Sequence, residues 1–279
     1  MNDTVIITGA TGSIGSEAVR HMADEGFNVI MACRNMEKAH RTAEALKQQF
    51  HNIKVMPLHL DLSSLESVRT FCSEVTHLAG SSNLKLCGLF NNAGTICRTY
   101  GKTPEGFEQT LATNYLGPYL LTRLLLPHMS EGSHIVNMVS LTCRFGNVDR
   151  TLFDRNRNRF SQLGTYADSK LALLLFSIAL GRQLQAGNAR TFVNVADPGV
   201  VNSNMISMGR WFDPLADRLF RPLCKSPEKG VLPALNALHT ENTLRYFKGK
   251  DKQFPIPERY TENNCLEWLW DHTGTVVGI

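Results

Sequence analysis

The chain has 279 residues, 43% of them apolar and 19% charged, with a formal net charge of +4 at pH 7; such a chain buries a large core, and one α/β domain of this size is ordinary, which excludes a disordered polymer. Its seven cysteines, at 33, 72, 87, 97, 143, 224 and 265, stand singly with no CxxC pair. That argues against a disulfide framework or a zinc site and for reduced thiols in a cytosol-like compartment. The positive charge is mild, and its densest stretch, RTLFDRNRNRF from Arg150 to Phe160, reads as a solvated loop rather than a nucleic-acid face.

Met1 is followed almost at once by the strand-like run TVIIT (4–8), so no cleavable signal or N-terminal membrane anchor is expected. TVIIT runs into TGATGSIG (8–15), and the amphipathic segment IGSEAVRHMADEG (14–26) predicts a helix. A second strand, FNVIMA (27–32), precedes a second helix over NMEKAHRTAEALKQQF (35–50). Further strands are predicted at IKVMPL (53–58), LKLCGLF (84–90), HIVNMV (134–139) and TFVNVA (191–196). These runs are short, apolar and mostly not alternating, as in parallel strands covered on both faces. The stretches LGPYLLTRLLLP (116–127) and KLALLLFSIAL (170–180) are too short for a bilayer and read as buried helices. The recurring order of strand then helix predicts an α/β fold: a single-domain doubly wound parallel sheet of Rossmann type, helices on both faces, spanning 1–279. After Pro198 the rhythm breaks. Residues 200–225 mix Met, Phe and Trp with Gly209, Pro214 and Pro222 and read as an apolar flap over a pocket; a tail follows over 250–279.

The glycines of TGATGSIG, at 9, 12 and 15, follow a strand and open a helix, where backbone N–H groups and the positive helix end cradle a pyrophosphate. About 20 residues further on, a dinucleotide site that takes NAD carries an acid on the ribose hydroxyl, and one that takes NADP carries an arginine for the 2′-phosphate. The second strand here ends in Cys33–Arg34 with no acid, so NADP(H) is expected over NAD(H).

Downstream come LDL with Asp61 and Leu62, NNAG (91–94), TNYLG (113–117), HIVNMVS ending in Ser140, and TYADSK with Tyr166 and Lys170. In this order and spacing the chain resembles the short-chain dehydrogenase/reductase family over essentially its whole length. ACRN, TNYLGPYLLT, the long interval from Ser140 to Tyr166, and the closing CLEWLWDHTGTVVGI resemble its retinol dehydrogenase-like branch. Tyr166 and Lys170, at i and i+4, share a helix face.

The resemblance implies that Tyr166 exchanges a proton with a substrate oxygen and that Lys170 favours its phenolate and holds a ribose. It further implies that Ser140 hydrogen-bonds the substrate oxygen and that Asn114 fixes a water in a relay through Lys170. Cofactor contacts are implied for Gly9, Thr11, Ser13, Ile14, Gly15, Arg34, Asp61, Leu62, Asn91, Ala93, Gly94, Tyr166, Lys170, Pro198, Gly199, Val201 and Ser203. Of these, Asp61 and Leu62 would lie against the adenine, while Val201 and Ser203 would hold the carboxamide. Ser203 stands where the family usually has threonine. The loop departs from the family's usual TGxxxGxG, because Ser13 occupies a glycine position; its hydroxyl would either reach the phosphate or cap the first helix.

The expected activity is NADP(H)-dependent interconversion of an alcohol and its carbonyl on a small hydrophobic substrate such as a ketone, aldehyde, steroid or retinoid. An NAD(H)-linked hydroxysteroid-type dehydrogenase and a non-catalytic cofactor-binding sensor are the alternatives. Neither metal nor nucleic acid is expected as a partner, and the family suggests a homodimer or homotetramer in the cytoplasm. Peripheral membrane contact through the flap or through Trp268 and Trp270 is weighed against their packing within the fold.

Overall fold

The computed structural model describes residues 3–154, 156–201 and 224–279. Eight strands form one sheet in the order β3-β2-β1-β4-β5-β6-β7-β8. They are β1 (Asp3–Thr8), β2 (Asn28–Cys33), β3 (Val55–His59), β4 (Lys85–Asn91), β5 (His134–Met138), β6 (Phe192–Asp197), β7 (Arg245–Lys248) and β8 (Lys252–Pro255). Pairing is parallel from β3 through β7, and β8 runs antiparallel to β7 at the edge. The sheet is therefore mostly parallel rather than wholly so. The hairpin β7–β8 escapes a reading based on apolar runs, because β7 has one fully buried residue, Phe247, and β8 has none.

Along each inner strand, successive side chains feed opposite faces. In β1, Val5 and Ile7 join the core beneath α1 (Ser13–Asp24), α2 (Met36–Gln49) and α7 (Pro227–Leu238), whereas Ile6 joins the core on the other face. That second core is covered by α3 (Leu65–Ser82), α5 (Gly117–Leu125), α6 (Gln162–Ala186) and α9 (Leu266–Val277). Two short helices, α4 (Gln109–Leu111) and α8 (Glu258–Thr261), complete the set named here. The helix starts follow from their caps: the side chains of Asn35, Ser64 and Ser161 accept the N–H of Lys38, Ser67 and Gly164.

The helix around KLALLLFSIAL is longer than that run, with 25 residues. By length and composition alone α6 is apolar enough to cross a membrane, but 78% of its most apolar stretch is buried inside the fold, as in a core helix. Trp270 packs on Tyr119 and Phe176, and Trp268 on Phe153 and His272, so both tail tryptophans are engaged within the fold. Most of the predicted flap, residues 202–223, lies outside the described residues, as does Arg155 in the basic stretch.

The strand order reverses between β1 and β4, and a crevice opens there at the carboxyl ends of the strands. Two side chains stitch its walls together. The Thr8 hydroxyl accepts the N–H groups of Asn92 and Ala93, both at 3.0 Å, while the Asn92 amide donates to the carbonyls of Thr8 (2.8 Å) and Gly9 (3.4 Å). Gly9 sits at φ +62°, in the left-handed region that favours glycine. A Cβ on Gly15 would run into the Gly9 carbonyl and stand 2.8 Å from Asn92 Nδ2. Gly15→Ala should therefore push α1 away from the β4 crest and lower stability by about 2 kcal/mol, as overpacking does. Urea unfolding of the purified variant checks this; an unchanged midpoint would mean that the loop relaxes freely.

Candidate active site

The crevice holds two cavities that share Gly9, Ala93 and Gly94 as their common floor. One half, 280 Å³, lies over the ends of β1 and β2 and is lined by Thr11, Cys33, Arg34, Asn35, Asp61 and Leu62, among others. The other half, 420 Å³, runs past Gly12, Ser13, Ile14 and Gly15 to Ser140, Tyr166, Lys170, Pro198 and Gly199. Glycine at 9, 12, 15 and 94 leaves space where a Cβ would stand against backbone or against Lys170 Nζ, so the groove fits an extended dinucleotide lying on bare backbone.

At the first half, Arg34 is exposed; four residues on, Lys38 lines the second half and its Nζ donates to the Thr11 carbonyl at 2.7 Å. Asp61 is the carboxylate of this half, but its Oδ1 accepts from both the N–H (2.9 Å) and the hydroxyl (2.7 Å) of Ser63. One of its two oxygens is thus engaged in the turn that opens α3. Lys38 was not among the expected site residues; the available signal was a second cation placed i+4 from Arg34 in the first turn of α2.

At the second half, Tyr166 and Lys170 project from α6 toward the end of β5. Lys170 is 2% exposed, and its ammonium donates to the Met138 carbonyl at 2.7 Å. Burial lowers its pKa to about 8. Burial likewise raises the Tyr166 phenol to about 12, opposed by a hydrogen bond with the Ser140 side chain. Desolvation dominates the phenol in the cofactor-free protein, and the contact that opposes it comes from Ser140. Ser140 also caps the short 3₁₀ turn Leu141–Phe145, its Oγ accepting the Thr142 N–H at 3.3 Å.

Asn114 sits in a π-helical turn, Ala112–Leu116, between α4 and α5. Its Oδ1 accepts the Thr95 N–H (2.7 Å), and its Nδ2 donates to the Thr95 carbonyl (2.9 Å) and to Ser169 Oγ (3.0 Å). Both Nδ2 hydrogens are therefore spent, and the side-chain amide braces Thr95 and Ser169. Ser169 passes the brace onward by donating to the Tyr166 carbonyl at 2.7 Å. A Cβ on Gly94 would meet Lys170 Nζ at 3.3 Å and Asn114 Oδ1 at 3.4 Å, which puts both groups directly beneath that glycine.

Two expectations need correction. Asn91 does not line the crevice: its side chain turns into the core and donates to Thr122 Oγ1 (3.0 Å) and Asn137 Oδ1 (2.8 Å), while Asn92 faces the cleft. Ser13 does not cap α1, because Gly12 is the cap residue and Ser13 is already helical; its side of the alternative that survives is a position on the cleft wall. Val201, whose backbone is expected to hold the carboxamide, follows Gly199 at the cleft and buries its side chain against Gly230. Ser203 lies outside the described residues.

A doubly wound sheet with a glycine-floored crevice, ending in a Ser, Tyr and Lys cluster, defines a nucleotide-dependent oxidoreductase. The profile of the family described as short chain dehydrogenase matches residues 3–210, and the chain belongs to that family. Retinol dehydrogenase 13 of Homo sapiens is 32% identical over 99% of this chain and 85% of its own length. Short-chain dehydrogenase TIC 32 B, chloroplastic, of Brassica napus is 36% identical over 98% and 88%. Among solved structures, a protein of Mycobacterium paratuberculosis described as uncharacterized superposes with a TM-score of 0.78 at 28% identity, covering 98% of this chain and 92% of its own. The chain is accordingly an NAD(P)-dependent oxidoreductase of the retinol dehydrogenase-like branch.

Lys170 ties the site to stability. Its folded pKa of about 8 lies below the 10.5 of an exposed lysine, so between those pH values the unfolded chain binds more protons and stability rises with pH. Below pH 8 the whole burial penalty is present. Lys170→Met should therefore stabilise the cofactor-free protein at pH 7 by on the order of 2 kcal/mol, after loss of the Met138 hydrogen bond. Urea midpoints at pH 7 and pH 10 check it: the gap between variant and wild type narrows toward pH 10.

Proposed function

We propose that the protein uses NADP(H) to interconvert a hydrophobic alcohol and its carbonyl, with Tyr166 as proton donor and acceptor. The reading rests on one observation: Ser140, Tyr166 and Lys170 line the same cleft as the glycine loop, whose far half carries Arg34. A bound nicotinamide would supply or accept the hydride at the reacting carbon. The residues handle the proton. Tyr166 carries its proton at neutral pH and can give it to a carbonyl oxygen or take one from an alcohol, although burial, which raises its pKa to about 12, makes it a weaker acid than a free phenol. Ser140 holds the phenol by a hydrogen bond and can share that role with a substrate oxygen. Lys170, charged below pH 8, lends positive charge beneath Gly94 and has N–H groups beyond the one spent on Met138.

Support for NADP(H) comes from Arg34 in the first half of the cleft, from Lys38 on the wall of the second, and from the engagement of Asp61 with Ser63. A hydrophobic substrate is supported by the exposed Leu141 and Phe145 on the turn that Ser140 caps, and by the retinol dehydrogenases among the relatives. The proposal extends to a homodimer or homotetramer in a cytosol-like compartment, the latter supported by cysteines that stand singly in the sequence with no CxxC pair.

A screen of aldehydes, ketones, steroids and retinoids with both cofactors, read by absorbance of the reduced nicotinamide, tests the activity. Tyr166→Phe should lower turnover by about a thousandfold while NADPH affinity stays near wild type; retained turnover would remove Tyr166 from its role. Arg34→Asp should raise the KM for NADPH by about a hundredfold and that for NADH far less, since it sets like charge against the phosphate. Equal effects on both cofactors would sink the preference for NADP(H).

A further inference from the structure

Ser140 lines a third cavity, of 450 Å³, on the side away from the glycine loop. Its walls come from three separate parts of the chain: the turn Leu141–Phe145, the hairpin β7–β8, and the segment entering α8. Leu141, Phe254 and Tyr260 give it an apolar lining, and Arg144, Lys248 and Arg259 give it three cations. No acidic side chain stands among its described lining residues. The nearest carboxylates are otherwise disposed. Asp197 is buried and accepts the Tyr246 hydroxyl at 3.0 Å and the Gly199 N–H at 2.8 Å, and Glu258 is exposed at the start of α8, outside the lining.

Three like charges gathered around an apolar hollow repel one another, an arrangement that an anionic ligand would relieve. Arg259 is also held in place: its guanidinium lies 4.6 Å over the Tyr260 ring and donates to the Tyr260 hydroxyl at 2.7 Å, which occupies one of its five N–H donors. An oxygen at Ser140 and Tyr166 and an anion at the three cations would be the two ends of one molecule, with its apolar body over Leu141 and Phe254.

Resting on the oxidoreductase reading above, we propose that the substrate is an apolar alcohol or carbonyl with an anionic group, such as a carboxylate, at the end remote from the reacting carbon, and that Arg144, Lys248 and Arg259 recognise that group.

Two pairs of probes test this: azelaic semialdehyde and a keto bile acid, each against its own methyl ester, with NADPH. The acid of at least one pair should show a kcat/KM about tenfold above its ester, the scale of two or three half-exposed charge contacts. The advantage should lie in KM and shrink as salt screens the cations. In the double variant Arg144→Ser with Lys248→Ser, which keeps only Arg259, the KM of the acid should rise most of the way to that of its ester. Equal or faster turnover of both esters, or a preference undiminished in the double variant, overturns the proposal and leaves the oxidoreductase reading intact. If no carbonyl compound is reduced with either cofactor, the activity reading fails, and calorimetric titration with nonanoate then judges the anion site by itself. Binding of nonanoate that the double variant loses sustains that site; no binding to wild type overturns it.

Discussion

The hydroxyl of Thr8 is the point on which the crevice depends. It lies at the one place where the strand order reverses, and it accepts two N–H groups from the chain leaving β4 while lying 3.4 Å from the Phe90 carbonyl. Buried N–H groups without partners are expensive, so the stitch closes only when β1 and β4 end at matching heights. Asn92 completes it from the other side by donating to Thr8 and Gly9. The phosphate loop is thereby tied to the floor of the cleft, and Gly9, Ala93 and Gly94 become a surface shared by both halves.

From that floor the electrostatics of the second half follow. Gly94 covers Lys170 and Asn114 closely enough that any side chain there would crowd them. Covering the lysine removes water from it, lowers its pKa, and fixes its ammonium on the Met138 carbonyl. The same burial moves the Tyr166 phenol the opposite way, because desolvation disfavours whichever form is charged. Two groups one helical turn apart thus diverge from one cause, and the pair contains a proton donor that keeps its proton beside a cation that is nearly ready to lose one.

The first six strands were legible in the sequence because each is a short apolar run, and all but the edge strand β3 are largely buried; their observed bounds differ from the expected ones by a residue or two. The glycine loop and the Ser, Tyr and Lys cluster were legible for a different reason: their chemistry constrains spacing. The misses have physical causes as well. β7 and β8 are too short and too exposed to leave a pattern. Asn91 and Asn92 are adjacent and chemically identical, and only the strand's alternation, invisible at its last residue, sends one to the core and the other to the cleft. Lys38 reads as an ordinary surface helix residue until folding brings Thr11 beneath it. The brace from Asn114 through Ser169 to the Tyr166 carbonyl joins residues far apart in the chain, which no local pattern records.

That brace in turn leans on the end of the chain. Tyr115, next to Asn114 in the π-helical turn, is buried, and its hydroxyl pairs with Thr273 of α9 at 2.6 Å. One turn later the Tyr119 hydroxyl donates to the Trp270 carbonyl at 2.9 Å, and Arg123 lies 4.4 Å over the Trp270 ring. At the far end of the helix, Arg69 of α3 holds the Val277 carbonyl at 2.6 Å. A π-turn is a rare departure from regular helix, found mostly at functional sites. Here the holding groups come from α9, so the geometry of Asn114, and through Ser169 that of Tyr166, is set in part by residues that touch neither cleft. The last helix, which packs against α6 and contributes Leu269 and Val277 to the core, is in this sense a structural member of the site.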